Sequence, residues 1–162
     1  MFRPMRLNKQ QLSNEETDAM LKTCTSGVLA VCGDEGYPYA VPLSYAYEDG
    51  KIYFHCATSG HKLEAIKNHE KVSFCVVAGD EVHPGELTTY YRSAIVFGRA
   101  RILEGDEEKR YALERLADKY APDFPAQGEA AIKREWKAVT SVVIEIDHST
   151  GKAASEILEG KT

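Results

Sequence analysis

The sequence predicts a small α+β barrel in which six β-strands follow one another mostly as antiparallel hairpins, with helices on the periphery. Six short segments have the length and apolar character of strands. Helical patterns interrupt them at intervals, without the strict alternation of a doubly wound sheet. The glycine patterns of dinucleotide sites and P-loops are missing from the sequence. A chain of 162 residues is long enough to bury one core.

Composition narrows the classes of function. Apolar residues make up 43% of the chain and the net charge is −5, so neither a disordered protein nor a nucleic-acid-binding surface is expected. No apolar run approaches the roughly 20 residues of a membrane helix, and Met1 to Arg6 lack the apolar core of a secretion signal. We therefore expect a cytoplasmic protein that does not contact membranes.

The first half of the chain predicts one helix and three strands. An extended arm over residues 1–12 precedes Ser13 and Glu16, which match a capping box for a helix over 14–23. Strands are expected over 27–32, 37–47 and 51–57. Pro38 and Pro42 place at least part of the second strand at an edge or a bulge, and an Asp-Gly pair at 49–50 predicts a hairpin into the third.

The second half adds three strands and three helices. Strands are expected over 72–77, 88–103 and 140–146, and helices over 61–69, 106–120 and 129–137, with Asp106 as a cap. The apolar stripe of the 106–120 helix is interpreted as core packing. Residues 13–147 then form the domain, and residues 148–162 a polar tail. The strand over 88–103 is apolar on both faces, which indicates burial in a barrel or against a second subunit.

Cysteine and histidine positions indicate neither a disulfide framework nor a metal site. Cys32, Cys56 and Cys75 lie in apolar strand-like runs, where a thiol usually behaves as a small buried hydrophobe. The cysteines form no Cys-x-x-Cys pair, and the histidines have no companions at ligand spacing.

The strongest functional signal is the turn between the strand over 51–57 and the following helix. Thr58 to Lys62 combine hydroxyls, a glycine, an imidazole and a cation at a predicted helix N-terminus. The first amides of a helix lack internal partners and carry partial positive charge. Lys62 in the first turn is unfavourable for the helix dipole, so a bound anion would explain it. The turn is therefore predicted to hold a phosphate.

Four motifs in order resemble the FMN-binding split β-barrel proteins related to pyridoxamine 5'-phosphate oxidase, most closely the branch containing 5-nitroimidazole reductases. The resemblance covers roughly residues 10–145, and its motifs are Gly27-Val28-Leu29-Ala30, Gly36-Tyr37-Pro38-Tyr39-Ala40-Val41-Pro42-Leu43, Gly50-Lys51-Ile52-Tyr53-Phe54-His55 and Gly60-His61-Lys62-Leu63.

The resemblance implies a split β-barrel homodimer with FMN sites at the subunit interface. It implies that Val41, Pro42, Leu43 and Ser44 line the isoalloxazine, with His55, Cys56 and Ala57 beside it. Ser59, His61 and Lys62 would contact the phosphate. Ile95 to Gly98 would pack at the interface, and Trp136 would reach the partner's flavin.

The implied function is reduction of a small planar acceptor, such as a nitroaromatic, with NADH or NADPH as donor. His55 is the candidate catalytic proton donor, because imidazole titrates near neutrality. The last twelve residues lack the Arg-rich segment of true pyridoxamine phosphate oxidases, so vitamin B6 oxidation is not expected. The alternatives are a non-catalytic module that binds flavin or haem, and a deazaflavin-dependent reductase.

Overall fold

One antiparallel sheet organises the computed structural model, which describes residues 1–160. Across these residues the sheet has seven strands in the order β2-β1-β5-β6-β7-β4-β3. The strands are β1 Ser26–Cys32, β2 Pro38–Ser44, β3 Ala46–Glu48, β4 Lys51–Ala57, β5 Lys71–His83, β6 Thr88–Ile102 and β7 Val139–Ala153. The helices are α1 Asn14–Thr23, α2 His61–Asn68, α3 Asp106–Tyr120, α4 Pro125–Glu135 and α5 Ser155–Leu158. The α+β class and the antiparallel pairing are confirmed.

The predicted count of six strands is wrong because the chain breaks at Tyr45. β2 pairs with β1 and β3 pairs with β4, so the segment predicted as one strand lies at both edges of the sheet. The Tyr45 ring is fully buried, and its hydroxyl donates a hydrogen bond of 2.8 Å to the Leu21 carbonyl. Burying this ring turns the chain out of the β1 ladder and toward β4.

The sheet curls but does not close into a barrel. No ladder joins β2 to β3 among the described strands, so the predicted split barrel is confirmed only in part: the sheet is open. Its two edges are nevertheless held together by the single residue between them, Tyr45. The edge position of β2 agrees with Pro38 and Pro42, because proline has no backbone N–H to donate and is tolerated mainly on edge strands.

The inner face of the curled sheet carries the main core. The fully buried members include Leu29, Ile52, Phe54 and Phe74, each on an alternating inward position of its strand. Helix α1 contributes Met20 and Leu21, and α2 contributes Leu63, Ala65 and Ile66. The predicted capping box of α1 is present, with the Glu16 amide donating to Ser13 Oγ and the Ser13 amide donating to the Glu16 carboxylate.

The side of the sheet away from the main core has two contrasting regions, which we call the covered face and the open face. On the covered face, outward residues of β4 and β7 lie under α3, and Tyr53, Leu103, Ala112 and Val143 form a second buried cluster. On the open face, Val28, Cys75 and Ile95 stand opposite one another across β1, β5 and β6, followed by Phe97. Val28, Ile95 and Phe97 keep 38%, 44% and 41% of their surface exposed.

Strand lengths differ from the predictions where polar residues continue a ladder. β5 extends to His83 and pairs with β6 across a bulge at Val77/Gly79, whereas the strand predicted from the sequence ended at residue 77. β7 extends to Ala153, into the segment interpreted as a polar tail, because it pairs with β6 as far as Arg92. Backbone hydrogen bonds form whatever the polarity of the side chains. Pairing with the long strand β6 can therefore continue along the polar ends of β5 and β7.

Three local predictions are corrected. Helix α4 begins at Pro125 rather than near Glu129, because proline fits the first turn of a helix. Gly105, not Asp106, is the N-cap of α3. Cys32 is exposed because it occupies an outward position at the end of β1, whereas Cys56 and Cys75 are half-buried.

Within residues 1–160 no helix combines the length and apolar character needed to span a bilayer.

Candidate functional site

The turn that leads from β4 into α2 presents unused backbone donors. Gly60 is the N-cap of α2, with φ of 135°, and no side chain caps the helix there. The backbone hydrogen bonds to the Gly60 carbonyl come from the amides of Leu63 and Glu64 at 3.0 and 3.2 Å, so the amides before them lie outside the helical ladder. Space is open beside Gly60, since a Cβ built there meets no atom within 4 Å. The chemistry of this turn suits a phosphate.

The side chains of the turn divide into two groups. Lys62 is half-buried, and its positive charge opposes the rise in the Cys56 thiol pKa that burial produces. The His61 ring instead stacks on Tyr39 at 4.2 Å, and its Nε2 lies 3.6 Å from Asp34 Oδ2. His61 therefore joins α2 to the β1–β2 hairpin, while Ser59 is exposed at the turn. Lys62 remains the cation closest in sequence to the free amides.

A cavity of about 390 Å³ brings Ser44 and His55 together. We call it the helix cavity: it lies where α3 and α4 meet the ends of β2, β4 and β7. Ser44 and His55 are on strands near opposite edges of the sheet, so the curl at Tyr45 is what places them on one cavity. From His55 to Ser59, β4 and its turn span at most about 13 Å, at roughly 3.3 Å per residue. The helix cavity and the phosphate-type turn are therefore consecutive along β4.

The other predicted ring-binding residues alternate between faces. Val41, Leu43 and Cys56 pack inward against the main core. Pro42, Ser44, His55 and Ala57 point away from it and are exposed. Inward residues of β2 can offer only backbone groups to a ligand. Those groups are available because β2 is an edge strand.

Trp136 lies elsewhere in this chain. It follows α4 and lines a separate cavity of about 530 Å³ with Ile132 and the α3 residue Arg110. Lys109 Nζ sits 4.7 Å from the centroid of the Trp136 ring and donates to the Trp136 and Val139 carbonyls at 2.6 and 2.7 Å. The structure therefore does not bring Trp136 to the helix cavity of its own chain.

Although part of the His55 side chain is exposed, partial desolvation by the surrounding protein lowers the pKa of its imidazole below the ordinary value of 6.5. The ring is therefore predominantly neutral at pH 7, with one nitrogen as donor and the other as acceptor. Directly across the ladder from His55 on β7 is Ser141, which is fully buried and whose hydroxyl has no hydrogen-bond partner among the described residues. An unpaired buried hydroxyl next to a candidate catalytic histidine was not predicted, and a serine within an apolar strand is the only sequence signal for it.

The residues of α3 and α4 that line the helix cavity were also missed. The stripe on α3 was interpreted as core packing, and its members do face the sheet, but Leu113, Leu116, Ala117 and Tyr120 stop short of filling the space beneath them. No sequence pattern distinguishes a stripe that fills a core from one that roofs a cavity. Across residues 1–160, no three His, Cys, Asp or Glu side chains converge as metal ligands.

Several solved structures share this architecture. A crystal structure of a putative 5-nitroimidazole antibiotic resistance protein from Bacteroides thetaiotaomicron VPI-5482 superposes with a TM-score of 0.73 at 24% identity, covering 88% of this chain and 86% of that one. An FAD and heme binding protein from Mycobacterium smegmatis gives a TM-score of 0.76 at 25% identity, covering 94% and 80%. An FAD-binding protein from Mesorhizobium loti gives 0.65 at 26% identity, covering 89% and 96%.

The family model described as pyridoxamine 5'-phosphate oxidase matches residues 13–153 of this chain. This range contains every strand of the sheet, the phosphate-type turn and the helix cavity. The resemblance inferred from four short motifs thus extends over almost the whole fold. The chain belongs to the pyridoxamine 5'-phosphate oxidase family.

Proposed function

We propose that this protein is an FMN-dependent oxidoreductase that reduces a small planar acceptor, such as a nitroaromatic, as a homodimer. The observation that carries the proposal is the sequence of sites along β4: an exposed outward surface at Ala57 for the ring, beside the cavity of Ser44 and His55, and directly after it a turn with free amides and Lys62. A flavin mononucleotide needs this combination of a ring site and a phosphate site. Family membership and two FAD-binding structures at 25% and 26% identity support a flavin.

Lys62 and the first amides of α2 would hold the phosphate. The Gly60 N-cap leaves the helix end uncapped by any side chain, and a phosphate would supply acceptors for its donors. Lys62 would add a charge-assisted contact beside Ser59. His61 is already stacked on Tyr39, so its contribution would be smaller than that of Lys62.

Outward residues of β2 and β4 would face the flavin ring. Pro42, Ser44 and Ala57 are exposed and small enough to leave a flat surface, and the free edge of β2 offers backbone groups to the polar rim of the ring. The flavin would supply the two-electron chemistry, and the chain would supply orientation and a proton. His55 is the candidate donor, because its lowered pKa still leaves an N–H on the neutral ring within the cavity.

The open face supports the homodimer. Val28, Ile95 and Phe97 form an exposed apolar row, and an isolated domain rarely leaves such a contiguous patch in water. A second copy placed on this face would bury it, and would also cover the outward residues of the neighbouring edge strand β2.

The test is FMN affinity in Lys62→Ala. We expect the Kd for FMN, measured by quenching of flavin fluorescence, to rise at least about tenfold, because a charge-assisted contact of about 1.5 kcal/mol or more is lost. Lys67→Ala is the matched control, since Lys67 lies in the last turn of the same helix and pairs with Glu64 at 3.1 Å. Equal affinities in Lys62→Ala and wild type would refute the phosphate assignment.

Haem binding is the second candidate, favoured by the FAD and heme binding protein at 25% identity. The absorption spectrum of the purified protein separates the two. Flavin bands without a Soret band support FMN, and a Soret band that is lost in His55→Ala supports haem. Bleaching by NADH or NADPH without air, followed by reoxidation with a nitroimidazole, distinguishes an enzyme from a binding module and from a deazaflavin-dependent reductase.

A further inference from the structure

We propose that the helix cavity is the binding site for the acceptor, and that it admits neutral flat aromatic molecules while excluding anionic ones. The role of acceptor site rests on the function proposed above, whereas the ligand selectivity follows from the cavity itself. At about 390 Å³ the cavity is near the lower end of the range for small-ligand sites, about 300–1,000 Å³.

The walls of the cavity are apolar, and half of the apolar residues that line it are alanine or glycine. Its apolar lining consists of Leu113, Leu116, Ala117, Ala121, Gly128, Ala131, Ile132 and Val139. Glycine at 128 favours the close approach of α3 and α4, because a Cβ there would lie 3.3 Å from the Ala117 Cβ, which is closer than ordinary van der Waals contact. The short side chains of Ala117 and Ala131 then leave room between the helices and the sheet. A rigid, flat, apolar molecule loses little entropy on entering such a space.

The polar groups on the cavity are few and set its charge preference. They are Ser44, His55, Tyr120 and Glu135. Tyr120 is already engaged, because its hydroxyl bonds to the Tyr45 amide and carbonyl, both at 2.9 Å, and to the Thr25 carbonyl. Ser44 and neutral His55 therefore remain to hydrogen-bond a carbonyl, nitro or hydroxyl group of the ligand.

No lysine or arginine of the described chain lines this cavity. Lys119 is on α3 nearby, but its Nζ donates to the Cys24 carbonyl at 2.5 Å and lies 4.1 Å from the centroid of the Tyr45 ring. Glu135 adds a carboxylate to the rim, in contact with Arg134 at 2.7 Å. An anion would thus lose its hydration without gaining a cation, because Arg134 at the rim is already paired with Glu135.

The cavity beside Trp136 differs from the helix cavity in its charge, which supports the proposed exclusion of anions from the helix cavity. Four cations line that space, namely Arg110, Lys133, Arg134 and Lys137, together with Asp106 and Glu107. The helix cavity has none of these cations although α4 contributes to both. A phosphorylated acceptor such as pyridoxamine 5'-phosphate is therefore unsuited to the helix cavity.

The experiment measures binding rather than turnover. Naphthol and naphthalene sulfonate share a flat bicyclic ring and differ in charge, and neither reacts with flavins or thiols. We expect isothermal titration of the flavin-loaded protein to give at least tenfold tighter binding of naphthol. Ala131→Leu, which fills the cavity, should weaken naphthol binding at least tenfold. Ala130→Leu is the matched control, since Ala130 is the exposed neighbour on the same helix, and should change nothing.

Glu135→Gln provides a variant that carries no packing risk, because Glu135 is exposed. It should tighten binding of the sulfonate severalfold and leave naphthol binding unchanged. Equal binding of the two probes by wild type, or unchanged naphthol affinity in folded Ala131→Leu, would overturn the proposed selectivity. If naphthol binds as expected but no acceptor is ever reduced, the selectivity stands and the oxidoreductase function fails. If Ala131→Leu blocks naphthol but reduces acceptors at the wild-type rate, the cavity is not the acceptor site.

Discussion

The covered and open outer faces belong to the same sheet and carry similar apolar residues, yet only one of them is packed within the chain. Tyr53 and Val143 on the covered face retain 8% and 2% of their surface, because α3 lies over them. Val28 and Ile95 on the open face retain 38% and 44%. The N-terminal arm contributes a single ring there, Phe2, which stacks on Phe97 at 5.5 Å and on His148 at 4.7 Å.

The difference shows that an apolar strand position does not reveal what covers it. α3 meets its face with a helical stripe and also leaves the helix cavity at one end. The open face is apolar and lies next to the edge strand that carries the proposed flavin-facing residues. One face is thus completed by the chain itself, and we expect the other to be completed by a second copy.

The largest expected effect is that of Phe97→Glu. An unpaired carboxylate buried in an apolar interface costs about 3–5 kcal/mol, so the dimer should dissociate at micromolar concentration. Sedimentation velocity measures this directly. Phe124→Glu is the control, because Phe124 is 56% exposed in the α3–α4 connection, away from the open face. A wild-type monomer, or a dimer unaffected by Phe97→Glu, would show that the open face is not the interface.

The second largest effect is expected from a matched pair of truncations, one on the covered face and one on the open face. Leu103→Ala on the covered face should lower the free energy of unfolding by about 2–5 kcal/mol, because Leu103 is 5% exposed and the cavity left behind cannot collapse fully. Ile95→Ala should cost about 0.5 kcal/mol when measured in the Phe97→Glu background, where the open face is in water. Urea denaturation gives both values. Similar losses would mean that the open face is packed in the monomer.

A smaller effect of opposite sign is expected from Ser141→Ala. Its buried hydroxyl has no partner among the described residues, and an unsatisfied hydroxyl costs about 1–3 kcal/mol, so removing it should raise the free energy of unfolding by about 1 kcal/mol. Ser149→Ala, further along β7, is the control. A loss of stability would indicate that Ser141 bonds to a group such as His55, directly across the ladder.

The smallest expected effect is the pH dependence due to His55. Desolvation lowers the pKa of His55 in the folded state. Between the folded and unfolded pKa values the unfolded state therefore binds more protons, and the free energy of unfolding rises with pH. This contribution is complete above about pH 6.5, the ordinary histidine value, and is lost as the pH falls through the folded pKa. Tm measured against pH in wild type and His55→Gln isolates it. If Tm changes with pH equally in wild type and His55→Gln, His55 is as solvated in the folded protein as in the unfolded chain.

Local elements were predictable because their signals lie within a few residues of each other. The capping box at Ser13 and Glu16 fixed the start of α1, and the Asp-Gly turn with φ of 47° and 73° at Asp49 and Gly50 produced the β3–β4 hairpin. The strand–turn–helix unit around Gly60 was predicted for the same reason. Phosphate-type chemistry at that turn needs only the local backbone and Lys62.

The sequence by itself determined most of the secondary elements, the family and the strand–turn–helix unit at Gly60, since these depend on short-range patterns and on motif order. Only the tertiary structure decided which residues meet. Burial of Tyr45 splits one predicted strand between the two edges of the sheet and so brings Ser44 to His55. Packing of α3 and α4 sends Trp136 to a different cavity and leaves an apolar space above His55. Such contacts join residues far apart in the chain, and no local pattern encodes how two surfaces fit.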